Sequence, residues 1–219
     1  MPTTNQSQSK TLSTIVKDGF AFNLIDKLRI KRDAFIVDMG CGSGEFLQQL
    51  KEAGFTNLSG ADANDSENFD KDIVFKKVDI CHENLPWMEN SIDLITAWET
   101  FEHLENPHFV IKEIVRVLKP GGYLVISMPN VFHIISRLLF LKHGDFPRWN
   151  KKNNHITVYP KSVFEKIFLK NLDHVSTKYH LPDFAYGIFN TKLKFLWKYL
   201  PENIWFSHFI VYVMQKPRQ

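Results

Sequence analysis

The residues best suited to chemistry cluster early in the chain. The stretch "FIVDMGCGSGEF", Phe35 to Phe46, sets Asp38 in an apolar run and then places glycine at every second position, Gly40, Gly42 and Gly44. Without a Cβ, such a loop turns tightly and lets a ligand rest directly on backbone atoms. Two further acids, Asp62 and Asp79, close short apolar segments downstream. A carboxylate 22 positions beyond Gly40, where Asp62 stands, can accept both hydroxyls of a ribose. Asp79 can accept from an adenine amino group, with Ile80 covering the ring. The combination describes a nucleoside, although a glycine turn after a strand and an acid capping a helix are also ordinary local geometry. Cys41 reads as a small packing residue, and Glu45 as an acid favouring a helix N-terminus.

Glycine spacing separates two nucleoside-bearing cofactors. A dinucleotide fingerprint, GxGxxG, would need glycine at position 45, where Glu45 stands. A carboxylate there repels a pyrophosphate. A sulfonium cofactor reverses the sign, because it carries a cation, and S-adenosylmethionine fits the loop better than NAD. The charge distribution agrees: residues 1–130 hold 13 Lys/Arg against 19 Asp/Glu, whereas 131–219 hold 14 against 5.

These acids need strands to present them at one edge. Leu12, Ile15, Val16, Phe20, Leu24 and Leu28 recur at helical spacing, so one or two helices precede the first strand, Phe35–Asp38. "EFLQQLKEAG" sets Phe46, Leu47 and Leu50 on one helical face and stops at Gly54. "LSGAD" is a second strand, "IVFKKVD" a third ending at Asp79, and "SIDLITAW" a fourth. Ile111, Ile114, Val115 and Leu118 give an amphipathic helix that ends at Pro120 and two glycines, before a fifth strand, "YLVISM". "HVSTKYH" and "HFIVYVMQ" read as strands six and seven. Alternation of this kind implies βαβ units and a parallel sheet covered on both faces, with ligands beyond the carboxyl ends of the strands.

A chain of 219 residues, 44% hydrophobic and 23% charged, suffices for one large core. Its polar start, "MPTTNQSQSK", has no apolar run behind it, so the expected location is cytoplasmic. The two cysteines, Cys41 and Cys81, form no CxxC pair and no zinc spacing with histidine. Neither a disulfide nor a metal site is expected.

Four motifs in unbroken order, "VDMGCGSG", "GAD", "VDICHENLPWMENSIDLITAWETFEHLENP" and "EIVRVLKPGGYLVISMPN", resemble those of class I S-adenosylmethionine-dependent methyltransferases. The resemblance implies an α/β fold: a Rossmann-like, doubly wound, seven-stranded and mostly parallel sheet with helices on both faces and an acceptor-side insertion after strand five. It implies that Asp38 and the loop Gly40, Cys41, Gly42, Ser43 and Gly44 hold the methionine end of the cofactor. Asp62 would bind the ribose, Ala63, Asp79 and Ile80 the adenine, and Ala97 and Trp98 would line the methyl-donor pocket.

The expected organisation is a helical segment over 1–33 and a methyltransferase domain over 34–219, with 131–160 and 183–204 as acceptor-side insertions or lids. The first insertion resembles that of enzymes from sugar, polysaccharide or quinone pathways. The expected activity is methyl transfer to a small-molecule acceptor, and a hydroxyl acceptor would need a base. His103 and His155 are the candidates, each open between base and substrate-positioning roles. The basic, aromatic back third favours an acceptor that is both apolar and anionic, with at most peripheral membrane contact. "AWET" stands where a nucleic-acid methyltransferase carries an Asn/Asp-Pro-Pro-aromatic motif, which disfavours nucleic acid. A non-catalytic adenosine-binding scaffold and an NAD oxidoreductase are the remaining alternatives.

Overall fold

A computed structural model describes residues 14–149, 151, 153–182 and 199–218. Two short helices, α1 (Thr14–Lys17) and α2 (Phe20–Lys27), precede strand β1 (Phe35–Met39). There follow α3 (Glu45–Glu52), β2 (Asn57–Asp62), β3 (Val74–Lys77) and β4 (Ile92–Ala97). A single 3-10 turn, Phe101–His103, leads to α4 (Pro107–Val117) and β5 (Leu118–Pro129). The chain continues through α5 (Ile134–His143), α6 (Lys161–Phe168), β6 (Asp173–His180) and β7 (Phe209–Gln215).

The seven strands form one sheet in the order β3-β2-β1-β4-β5-β7-β6. All neighbours from β3 to β5 run parallel, and β7 runs antiparallel between β5 and β6. Side chains alternate across each strand, so each face builds its own core. Val37, Met39, Ile95, Ile126 and Met128 meet α4 and α6 on one face. Ile36, Leu94, Val125, Val211 and Val213 meet α1, α2 and α3 on the other.

Two expected boundaries shift for physical reasons. β3 ends at Lys77 rather than Asp79, because the Asp79 carboxylate accepts from the Cys81 N–H at 3.0 Å and turns the chain. β5 begins at Leu118, five residues before its expected start, since Leu118 already pairs with Ile92 across an irregularity in the ladder. Gly122 makes that possible: a Cβ there would lie 2.9 Å from the Lys119 carbonyl and 3.1 Å from that of Ile92. Of the two expected insertions, 131–160 contains α5, whereas most of 183–204 lies outside the described residues.

Candidate active site

The loop after β1 is defined by backbone conformation. Gly40, Gly42 and Gly44 have φ of 70°, 56° and 82°, a region that side chains strain to enter. Gly40 also lies against Thr100, whose Oγ1 would be 2.5 Å from an added Cβ. Thr100 Oγ1 in turn sits 3.2 Å from both the Met39 and Trp98 carbonyls, tying the end of β1 to the end of β4.

Asp38 and Thr96 are register partners on neighbouring parallel strands, so their side chains emerge side by side. Thr96 Oγ1 donates to Asp38 Oδ1 at 2.6 Å. Asp38 is 3% exposed and Asp62 5%. Burial pushes Asp38 up to about 7, the Thr96 hydrogen bond opposes the rise, and the charge of Asp62 adds to it. Among the described residues no basic side chain forms an ion pair with Asp38. The Asp62 carboxylate accepts from Gly42 N–H at 3.1 Å and from Asn64 N–H at 2.9 Å, so it shapes the glycine loop as well as facing the strand end.

The other expected cofactor residues divide. Ser43 is half-buried within the loop, and Cys41 is buried in the core, its sulfur 2.7 Å from where a Cβ on Gly60 would stand. Ala63 is exposed beyond β2, and Ile80 is partly buried against the α4-side core. Asp79 is half-exposed and already pairs with His82 at 3.0 Å, which holds its carboxyl below the usual range. Ala97 is fully buried in the α4-side core. Trp98 also packs into a core, edge-on to Phe46 at 5.2 Å, but its indole Nε1–H is buried without a partner.

A second constellation lies just past β4. Residues 154–159 are strapped to the turn at 101–104 by five hydrogen bonds. The Ile156 and Thr157 N–H groups donate to the Glu102 carbonyl at 2.9 and 3.0 Å. Thr157 Oγ1 donates to the Leu104 carbonyl at 2.7 Å, and Tyr159 Oη to that of Phe101 at 2.9 Å. His103 Nδ1 donates to the Asn154 carbonyl at 3.1 Å. Since a carbonyl only accepts, this bond puts the proton on Nδ1 and leaves a lone pair on Nε2 of the neutral ring.

The strap brings His155 against His103, with ring centroids 4.7 Å apart. Both expected histidines therefore meet, from positions 52 residues apart. Burial pushes His155 down to about 4, with His103 and Arg148 adding, so it is a neutral imidazole near neutral pH. Between them lies a residue that sequence patterning does not single out. Glu102 is 1% exposed, lines a small apolar pocket with Met128, Trp149 and Tyr159, and has no hydrogen-bond partner for either carboxylate oxygen. Burial pushes its pKa up to about 8, the charge of Glu99 adds, and Arg148 opposes. Arg148, from the insertion, pairs with Glu99 at 2.7 Å. Glu99 itself has φ of 49°, a strained conformation for a non-glycine residue at a strand end.

One further grouping bears on the expectation of no metal site. Glu102, His103 and His155 each offer one ligand atom within 4.8 Å of the other two. Only the fold reveals this, because His155 arrives through the insertion.

A sheet in this order, with a glycine loop and acids at the ends of β1 and β2, defines a class of nucleoside-binding α/β proteins. The methyltransferase-domain family model matches residues 14–171, and the chain belongs to that family. It is 35% identical over 107 residues to the sterol 24-C-methyltransferase of Schizosaccharomyces pombe, covering 44% of this chain and 28% of that protein. It is 31% identical over 124 residues to a demethylmenaquinone methyltransferase of Lactobacillus johnsonii, covering 51% of this chain and 50% of that protein. The chain thus spans half or less of those relatives' lengths.

Solved structures share the fold at low identity. An S-adenosylmethionine-dependent methyltransferase from Mesorhizobium loti aligns over 91% of this chain and 99% of its own, with a TM-score of 0.59 at 18% identity. The [4+2]-cyclase SpnF aligns over 92% of this chain and 81% of its own, with a TM-score of 0.66 at 15% identity. Among the described residues no helix is long and apolar enough to cross a membrane.

Proposed function

We propose that this chain is an S-adenosylmethionine-dependent methyltransferase acting on a small-molecule acceptor. The observation that carries the reading is the buried acid pair, Asp38 and Asp62, beside a loop of three left-handed glycines. Two buried carboxylates whose charges repel favour a cationic guest, and among the described residues no basic side chain pairs with Asp38. Trp98 Nε1–H, buried and unpartnered near the end of β4, suits an acceptor atom of the same guest. When bound, S-adenosylmethionine supplies a methyl group activated on a positively charged sulfur.

The chain's own part is positioning. Asp62 would take the ribose hydroxyls while keeping the Gly42 N–H in place, and Asp38 would sit near the methionine end. Ala63 and Ile80 would flank the adenine, and Asp79 would contact its edge only by sharing its carboxylate with His82. Holding a nucleophile in line at attack distance supplies about 7–11 kcal/mol of a barrier. Buried Glu102 and Tyr159, with half-buried Trp149 beside them, line one pocket next to this site.

The finer reading is a hydroxyl acceptor on a sugar, lipid-linked or quinone-type precursor, apolar in its body and anionic at one end. His103 and His155, with their rings in contact beside the pocket, would take the hydroxyl proton. The net positive charge of residues 131–219, Arg148 and Lys151 included, would draw the anionic end. Relatives named as sterol and quinone methyltransferases support an apolar acceptor by analogy.

Calorimetry with S-adenosylmethionine, S-adenosylhomocysteine and NAD tests the cofactor, and labelled-methyl transfer into fractionated cell extract tests the acceptor. Binding of the first two without NAD, followed by label in an extractable small molecule, is the expected result. The [4+2]-cyclase SpnF shares the fold, so the rival reading is a protein of this fold that binds the cofactor and does not methylate. Tight cofactor binding with no methyl turnover on any fraction would favour it.

A further inference from the structure

We propose that Glu102, His103 and His155 form a binding site for a divalent transition ion of zinc type, placed beside the acceptor pocket. Three observations converge on it. One ligand atom from each residue lies within 4.8 Å of the other two. Ligands about 2.0–2.1 Å from a tetrahedral ion stand about 3.4 Å apart, so modest closure of the side chains completes the set.

Second, two of the three residues carry buried polar atoms without a partner. Both Glu102 oxygens and His155 Nδ1 are buried without a hydrogen-bond partner, and Glu102 is 1% exposed. A buried acid with both oxygens unpartnered costs free energy that the fold does not recover by itself. Third, the surroundings already orient the rings. The His103 Nδ1–H donates to the Asn154 carbonyl at 3.1 Å, which turns Nε2 toward a ligand role, the usual outer contact of a metal-bound histidine. The His155 ring has a backbone contact of its own, to Arg148.

Two imidazoles and one carboxylate suit zinc better than magnesium or calcium, which prefer all-oxygen shells. Three protein ligands leave one position open toward the pocket that Glu102 lines. If the proposed methyl transfer holds, an acceptor hydroxyl fits that position. The ion would then acidify it, its proton would leave to water, and the histidines would act as ligands rather than bases.

The test is metal uptake by the full chain, stripped with chelator and titrated with Zn2+ by calorimetry. Co2+ is titrated in parallel and read by its visible d–d absorption. One equivalent per chain is expected, with a cobalt spectrum of low-coordinate N/O ligation. Glu102→Gln and His155→Ala should each weaken uptake by more than roughly 100-fold, beyond the 10–100-fold that loss of an outer contact costs. His103→Gln, at a half-buried position, serves as a third variant should either of the others fold poorly by circular dichroism. Absence of stoichiometric uptake in the wild type, or uptake undiminished in every folded variant, would overturn the proposal. S-adenosylmethionine affinity is measured alongside. Its absence in the wild type would remove the methyl-transfer reading and leave the ion site standing.

Discussion

The two halves of the site solve opposite problems. At the ends of β1 and β2 the chain supplies most of its own partners: Thr96 donates to Asp38, and Gly42 and Asn64 donate to Asp62. Past β4, by contrast, Glu102, Trp149 Nε1, His155 Nδ1 and His208 Nδ1 are buried with no hydrogen-bond partner. One side is a cradle set by backbone conformation. The other is a set of side chains left unfinished beside a strap, and on the proposed reading that is the side for the less generic ligand.

The largest effect should come from that unfinished side, and its sign should surprise. Glu102 ionises near 4.5 in the unfolded chain but is pushed up to about 8 by burial, so unfolding releases a proton between those values. Metal-free stability therefore falls as pH rises from about 4.5 and levels off above 8. Glu102→Gln should stabilise the metal-free chain by roughly 2–4 kcal/mol at alkaline pH and very little at pH 4. Scanning calorimetry at both pH values checks this, and a variant no more stable at high pH would show that the carboxylate is satisfied after all.

On the cradle side the sign reverses. Gly40→Ala introduces a side chain at φ 70° and 2.5 Å from Thr100 Oγ1, and should cost about 2–4 kcal/mol by thermal unfolding. A neutral result would mean that Thr100 turns away freely and that the loop is not set by its backbone. Asp62→Ala should weaken S-adenosylmethionine and S-adenosylhomocysteine alike by roughly 1.5–3 kcal/mol, since its hydrogen bonds are charged and it also anchors Gly42. Unchanged calorimetric affinity would take Asp62 out of the site.

A smaller effect separates the two cofactor forms. Asp38, at about 7, is half protonated near neutral pH, and a cationic guest favours its ionised form. Affinity for S-adenosylmethionine should rise about tenfold between one unit below and one unit above that value, while neutral S-adenosylhomocysteine changes less. Equal pH profiles would separate Asp38 from the sulfonium. The smallest expected effect concerns the basic back third: Lys151→Glu should raise the Michaelis constant of an anionic acceptor about two- to threefold, as surface charges act weakly, and added salt should mimic it.

What the sequence disclosed follows the range of the interactions involved. Strand alternation, the helix faces and the glycine loop are local patterns, and the same alternation carried Asp38 and Asp62 to the correct edge. Trp98, expected along the methyl-donor pocket, follows Leu94 and Thr96 on the face packed by α3, and its ring packs in that core with only its indole N–H left unpartnered. Asp79 was misplaced because its turn depends on Cys81 and His82, a competition that propensity does not rank. Glu102 stayed hidden because one 3-10 turn decides whether "FEH" points its acid or its imidazole inward. Arg148 and His155 reach Glu99 and Glu102 across about fifty residues of chain, through contacts that no local period encodes. The aromatic and basic stretch over 188–200, the sharpest part of the lid expectation, lies almost wholly outside the described residues.

The position of β7 has a consequence for how the chain is made. Among the described residues β6 touches the sheet only through β7, yet it leaves the ribosome first. Until Phe209–Gln215 emerges, β6 has no neighbour to pair with, and one edge of β5 stays open. For that interval the nascent chain carries an unpaired strand, DHVSTKYH, with polar residues at six of its eight positions and valine and tyrosine at the others. Such a composition gives a waiting strand little reason to stick to a stranger.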